Sequence, residues 1–371
     1  MRNDLRHTTL GDICVRLTDG SHNPPKGVDY SDYAMISSQN VCNGTIDFSK
    51  GVRFLSREDF EREHKRTRVS EGDVLLTIVG TVGRTAVVGA EHKNITMQRS
   101  VAVLTPNKDL VTSSYLRYIL QAQSQRLISD AHGAAQKGIY LGALSKVELF
   151  VPSLSSQGAI VEELDCISKV IESKYQQLKE LDALAQAFFM DSFGDPLTNP
   201  KGWNLRVLSD ICSLKAGKGI KAEELSDEPR SGLYPCYGGN GIRGYIDRYL
   251  YDADAPIIGR QGALCGNVNY ATAPFYATEH AVVVKSLVPM NLTWLFYLLK
   301  NLRLERFAHG AAQPGLSVQD LKPIEVPLPP VDLQQIFAEK VLVIEEQKEL
   351  VLKSIKEFET LLAQRMEFHF A

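Results

Sequence analysis

Apolar positions along the chain follow two alternating kinds of pattern. Short β-branched runs punctuated by glycine predict strands joined by turns; examples are Asp73-Val74-Leu75-Leu76-Thr77-Ile78-Val79, Arg99-Ser100-Val101-Ala102-Val103-Leu104 and Ala281-Val282-Val283-Val284. Helical spacing rich in Leu, Tyr and Arg follows near 113–129 and again near 292–307. Each group of strands with its helix reads as a compact α+β domain. The pattern then changes. Ser155-Ser156-Gln157 offers a helix start, and apolar residues recur mostly three and four apart to about Met190. This seam is Ile160, Leu164, Ile167, Ile171, Tyr175, Leu178, Leu181, Ala185 and Phe188. A second seam is Phe337, Val341, Ile344, Lys348, Leu352, Ile355, Phe358 and Leu362, with Lys348 its one polar break. Both have the spacing of a coiled coil. A helix of about 34 residues is roughly 50 Å long and cannot hide such a seam in one small domain. It needs a second helix, and the chain carries one.

The two patterns repeat because the chain is duplicated. His132-Gly133-Ala134-Ala135-Gln136 recurs as His309-Gly310-Ala311-Ala312-Gln313, an offset of 309 − 132 = 177. The same offset carries Leu144 to Leu321, Pro152 to Pro329 and Gln157 to Gln334 without gaps. Upstream, with small insertions, Leu10-Gly11-Asp12-Ile13-Cys14 resembles Leu208-Ser209-Asp210-Ile211-Cys212, and 80–87 resembles 259–268. The expected order is a globular domain at 1–153, a helix at 154–196, a second domain at 197–331 and a second helix at 332–371. Gly194-Asp195-Pro196 stops the first helix. Antiparallel pairing of the two helices would relate the two similar α+β domains by an approximate twofold axis.

Composition narrows the chemistry. A net charge of −3 is unlike that of a protein that coats nucleic acid, so any such contact must come from local basic surface or a basic partner. None of the six cysteines forms a C-x-x-C pair, and they read as buried small hydrophobes in a reducing compartment. The absence of an apolar leader or a long apolar run points to a cytoplasmic protein with no membrane span. No catalytic or metal residue is assigned. Asn23-Pro24-Pro25-Lys26 ends in lysine where an adenine methyltransferase motif has an aromatic, and reads as a turn. Gly217-Lys218-Gly219 lacks the spacing and hydroxyl of a phosphate loop. Glu279-His280 lacks the second histidine of a zinc helix, and His132 and His309 sit in small-residue turns. The mixed run from Glu61 to Arg68 reads as an exposed helix end, with a basic tip that could meet phosphate.

In this order, several phrases resemble the specificity subunit of type I restriction-modification systems over essentially the whole chain. Thr18-Asp19-Gly20-Ser21-His22 with Pro24-Pro25-Lys26 resembles the opening of the first recognition domain. Gly72-Asp73-Val74-Leu75 and Gly259-Arg260-Gln261-Gly262 resemble the strand-and-glycine core. Trp203-Asn204-Leu205 resembles the start of the second domain, and Leu328-Pro329-Pro330 with Leu333-Gln334-Gln335-Ile336 the phrase that opens the second spacer helix. The resemblance implies two target-recognition domains, each reading one half of a split double-stranded DNA target. The helical spacers would set the gap and dock two methyltransferase (modification) subunits, which restriction subunits would join. It implies no chemistry in this chain: S-adenosylmethionine and ATP are expected on partner subunits. Two other readings are an assembly scaffold or degenerate relative without DNA specificity, and a stand-alone methyltransferase or nuclease.

On that reading, base readers are loop residues whose donors and acceptors match base edges. The candidates in the first domain are Ser38, Gln39, Asn40, Thr81, Arg84, Gln98, Arg99, Gln136 and Lys137. In the second they are Lys215, Lys218, Lys221, Tyr237, Asn240, Arg243, Arg260, Gln261 and Gln313. Neighbouring glycines, among them Gly80, Gly83, Gly217, Gly219, Gly238, Gly239, Gly259 and Gly262, would let backbone approach phosphates.

Overall fold

The structure is a computed structural model describing residues 5–42, 44–124, 126, 139–262, 264–310 and 314–370. Two long helices, Leu154–Phe193 and Val331–Phe370, have 40 residues each. The chain divides into two compact units, one comprising Met1–Ser173 with Ser354–Ala371 and the other Lys174–Lys353. Both divisions fall inside the long helices. Each unit is therefore a globular head with part of both stalk helices.

The first head is built around a four-stranded sheet in the order Cys14–Asp19, Val101–Pro106, Val74–Thr77, Thr85–Val87. A three-stranded sheet orders Arg53–Phe54, Ala34–Ile36 and Ile95–Met97, with the last two parallel. Arg6–Thr9 pairs with Glu148–Val151 beside the stalk. Val74–Thr77 is buried along its whole length, which is why its apolar run does not alternate. Leu76, Ala102 and Leu104 pack against Tyr115, Leu116 and Ile119 of the helix Ser113–Ala122. Leu75, Val101 and Val103, on the opposite face, pack against Ile36, Ile95 and Met97 of the three-stranded sheet. That helix has its C-cap at Gln123, and of the span expected to 129, residues 125 and 127–129 lie outside the described residues.

The second head has the same strand order. Its four-stranded sheet runs Cys212–Ala216, Ala281–Ser286, Ala255–Gly259, Val268–Ala271, and its three-stranded sheet Gly241–Ile246, Tyr234–Gly238, Tyr276–Ala277. Leu205–Val207 pairs with Glu325–Pro327. The helix Leu292–Asn301 covers one face, followed by a 3-10 turn at Leu304–Phe307. Equivalent hydrogen bonds fix the correspondence between the heads. Gly20 N to Val101 O matches Gly217 N to Ala281 O, and Gln98 N to Ile36 O matches Thr278 N to Tyr237 O. Both glycines are required by contact. A Cβ on Gly20 would lie 2.0 Å from Met97 O, and one on Gly217 would lie 2.1 Å from Ala277 O.

This correspondence shifts the upstream register read from sequence. Gly83 N bonds Thr77 O as Gly266 N bonds Gly259 O, and Ile139 N bonds Ile78 O as Leu316 N bonds Arg260 O. Gly259 therefore stands in the place of Thr77 rather than of Gly80, and Arg260 in that of the buried Ile78. The 177 offset holds for Ile139 and Leu316, whereas Thr77 and Gly259 stand 259 − 77 = 182 apart.

Within each unit the stalk helices pair through their seams. In Lys174–Lys353, Phe189 and Phe193 meet Phe337 at ring centroid distances of 5.7 and 5.5 Å. Lys340 Nζ lies 5.1 Å from the Phe188 ring, and Lys348 Nζ 2.7 Å from Asp182 Oδ1. Partner numbers fall as helix numbers rise, so the pairing is antiparallel. Val341 and Ile344 are buried there, and Leu178 and Leu181 half-buried. In the other unit Leu164, Ile167 and Ile355 are buried, and Ile160, Ile171, Phe358 and Leu362 half-buried. Glu163 Oε2 accepts from Arg365 Nη2 at 2.9 Å and lies 3.0 Å from His369 Nε2. The Arg365 guanidinium holds the Glu163 carboxyl below its usual range. Two seam positions need correction. Tyr175 and Leu352 are exposed, and the buried residue is Val351. The seam steps from Lys348 to Val351 and then Ile355, spacings of three and four that keep one face inward.

Lys348 is part of this seam rather than a gap in it. Burial pulls its pKa down, but hydrogen bonds to Asp182 and Glu345 outweigh that and hold it above the usual lysine value. The partner carboxylates of Asp182 and Glu345 are 59% and 48% exposed, so removing Lys348 leaves both solvated, and pairs this exposed contribute about 0–1 kcal/mol. Lys348→Met is therefore expected to change stability by no more than about 1 kcal/mol in either direction. Loss of more than that amount on denaturant unfolding would show that the ion pair carries net stability.

Candidate nucleic-acid interface

In the first head, backbone hydrogen bonds gather the ends of three loops. Ser38 N donates to Ser100 Oγ at 3.1 Å, Ile78 N to Ser100 O at 2.9 Å and Gln98 N to Ile36 O at 2.8 Å. Residues 36–40, 78–84 and 98–100 therefore meet at one edge. The turn from Gly80 to Arg84 needs its glycines, with φ of +83° at Gly80 and +93° at Gly83. Arg84 and Arg99 are exposed there, and their guanidinium groups make no ion pair or hydrogen bond among the described residues. An unpaired arginine held on an ordered turn suits a base edge or a phosphate, because no internal partner must be given up. Thr81 is exposed, and Ser38 and Gln98 are half-buried. Gln39 donates to Gly51 O at 2.9 Å and, with Gln98 and Arg53, lines a cleft of about 80 Å³.

Asn40 is a correction. It is fully buried, accepts from Ser37 N at 3.0 Å and donates to Asp47 O at 3.1 Å and to Lys50 O. Its amide closes the 40–50 loop and has nothing left for a base. Gln136 and Lys137, like Gln313 in the second head, lie outside the described residues. The charged run beside this edge forms the helix Arg57–Thr67, with Arg66 Nη2 2.5 Å from Asp19 Oδ1. Asp19 also meets His22 Nε2 at 2.7 Å, so this carboxylate ties the helix to the opening loop.

In the second head Lys215, Lys218, Lys221, Arg243 and Gln261 are exposed. Asn240, also exposed, accepts from Asn267 Nδ2 at 3.1 Å. Two further candidates need correction. Tyr237 belongs to the core, packed edge-on against Phe275 at 5.6 Å, and burial pushes its phenol pKa up. Arg260 is committed to the fold: Nε donates to Leu316 O at 3.2 Å and Nη1 to Glu279 O at 3.0 Å. The residue equivalent to Arg84 is Asn267, which sequence reading missed. Each follows the second glycine of its turn, Gly83 or Gly266, and both glycines have positive φ. That shared step, glycine then a long polar residue, was the available signal. His309 Nε2 lies 3.3 Å from Asp320 Oδ1, a carboxyl held below its usual range first by the Ser317 hydroxyl. Among the described residues no group of three His, Cys, Asp or Glu side chains could hold a metal ion, and no helix is long and apolar enough to cross a membrane.

Two heads with one strand order, each joined to long seam-bearing helices, define a duplicated head-and-stalk protein. Residues 9–183 and 200–359 match the family model for the type I restriction modification DNA specificity domain, and the chain belongs to that family. The specificity subunit of the Escherichia coli type I restriction enzyme EcoprrI is 42% identical over 134 residues, covering 36% of this chain and 33% of that protein. The match therefore spans about a third of that relative's length. The MjaIX specificity subunit of Methanocaldococcus jannaschii is 25% identical over 370 residues, covering 88% of this chain and 84% of that protein. The crystal structure of a type I restriction-modification S subunit from M. genitalium has a TM-score of 0.56 at 18% identity, covering 100% of this chain and 97% of that one. At that identity the likeness speaks for the fold.

Proposed function

We propose that this chain is the noncatalytic DNA-reading subunit of a type I restriction-modification complex, each head reading one half of a split double-stranded target. The observation that carries this is the equivalent turn in both heads, which presents Arg84 in one and the Asn267–Asn240 amide pair in the other. Arginine pairs with guanine O6 and N7, and asparagine with adenine N6 and N7. With a net charge of −3, general attraction to DNA is supplied largely by partner subunits. S-adenosylmethionine and ATP belong to those partners, and the paired helices set the gap between half-sites.

Two methyltransferase subunits dock on the stalk in this reading, joined by restriction subunits. Ile336, Val343 and Leu350 support it. They are exposed, lie seven residues apart on one face of the second stalk helix and are not seam residues. A spacing of seven keeps side chains aligned along a paired helix. The double substitution Val343→Asp with Leu350→Asp is expected to weaken co-purification with the methyltransferase by about tenfold or more, the effect of losing one anchor. Unchanged association, with unchanged melting, would move docking elsewhere.

The direct test is selection from random double-stranded DNA by the chain bound to its methyltransferase partner. Enrichment of two short motifs at a fixed gap supports the proposal. Tight complexes without enrichment would favour a scaffold, and methylation or cleavage by the chain alone would make it an enzyme.

A further inference from the structure

Gln157 and Gln334 are both fully buried, although glutamine is ordinarily a surface residue. They lie 177 residues apart, each in the first turns of a stalk helix. Gln157 Oε1 accepts from Thr112 N at 2.9 Å, while Nε2 donates to Leu110 O at 2.8 Å and Pro152 O at 3.0 Å. Gln334 Oε1 accepts from Asn291 N at 2.9 Å, and Nε2 donates to Pro329 O at 2.8 Å. The backbone donor is in each case the N-cap residue of the head's own helix, Ser113–Ala122 or Leu292–Asn301. The carbonyl acceptor shared by the two is the proline five residues earlier, where the head's last strand passes into the stalk. One amide thus joins head helix, connecting segment and stalk helix at a single point, through the same two bonds in both units, with Leu110 O an added acceptor for Gln157.

Burial of apolar groups would hold a head against a helix without fixing its angle, since such contact is non-directional. A buried amide is directional, and leaving either of its ends unpaired is costly. We propose that Gln157 and Gln334 are positioning residues that fix the angle between each head and its stalk helix, and thereby restrict the complex to one gap between half-sites. This rests on the DNA-reading proposal above. Adding a base pair to the gap turns one half-site by about 34–36° relative to the other, since roughly 10–10.5 base pairs make a turn of the duplex. A firm joint rejects that rotation, and a loose one tolerates it.

The test uses Gln157→Met and Gln334→Met, which keep side-chain length and remove the amide, in the complex with methyltransferase subunits. The wild-type complex first defines its half-sites and gap from random DNA. Each variant is then offered a library with those half-sites fixed and gaps varied by single base pairs. The preference for the wild-type gap over its neighbours is expected to fall about tenfold, the scale of one lost hydrogen-bond preference, with half-site bases unchanged. A folded variant with unchanged gap preference overturns the proposal. So does altered base choice in one half-site at an unchanged gap, because the amide would then order the head's loops. If neither variant folds, amide exchange in the wild-type complex decides. Protection of Thr112 and Asn291 N–H comparable to that of stalk helix amides supports the joint, and exchange at exposed-loop rates overturns it. Absence of any split motif for the wild-type complex refutes the DNA-reading proposal itself and is recognised before the variants are compared.

Discussion

Phe337→Ala is expected to cost about 3–5 kcal/mol of stability, the range for deleting a fully buried aromatic ring. The ring is buried and packs edge-on against Phe189, Phe193 and Tyr297, at centroid distances of 5.7, 5.5 and 5.3 Å. Phe189 and Phe193 lie on the first stalk helix, Phe337 on the second and Tyr297 on the head helix Leu292–Asn301. Phe193 also meets Trp294 edge-on at 6.3 Å. The substitution therefore opens a cavity where three helices converge, and rigid aromatic neighbours collapse poorly into it. Denaturant unfolding of Lys174–Lys353 in the whole chain, followed by the fluorescence of its two tryptophans, Trp203 and Trp294, measures the cost. A loss below about 1 kcal/mol would mean that head and stalk in this unit do not share one core.

Arg84→Ala is expected to lower selectivity by about 1–3 kcal/mol at one base position of one half-site, the size of a lost bidentate base contact. Among the described residues the guanidinium has no partner, so its removal is expected to leave the fold and melting temperature unchanged. Arg260→Ala provides the contrast. That side chain holds Leu316 O and Glu279 O, and its loss should destabilise the unit instead of erasing a single base preference. Selection from random DNA with each variant complex separates these outcomes. Uniform weakening at every base with Arg84→Ala would make it a phosphate contact.

Much of the fold was legible because duplication and periodicity are properties of the chain itself. The apolar runs at 74–79 and 281–284 became central strands, and Ile160, Leu164, Ile167, Val341 and Ile344 face inward from the stalk helices. What could not be read depends on spatial neighbours. Tyr237 looks like any tyrosine near a glycine pair until the strand Tyr276–Ala277 is laid beside it and Phe275 covers its ring. Asn40 resembles a loop reader because the carbonyls of Asp47 and Lys50 that occupy it come from a turn invisible to local pattern. Arg84 and Arg260 both read as base-reader candidates because both sit near glycines, yet Arg260 is held by Leu316 O and Glu279 O. The turn after Gly262 is one residue longer than the turn after Gly80, counted to Gly266 and Gly83, so the true counterpart of Arg84 is Asn267. Tyr175 and Leu352 have seam spacing in the sequence, 177 residues apart, and both are exposed.

Single-molecule methylome sequencing of the host with and without this gene tests the central claim most directly. The account predicts one split methylated motif, with two specified parts at a constant gap, that disappears when the gene is deleted. A methylome unchanged by the deletion, or loss of a continuous motif with no gap, would contradict it.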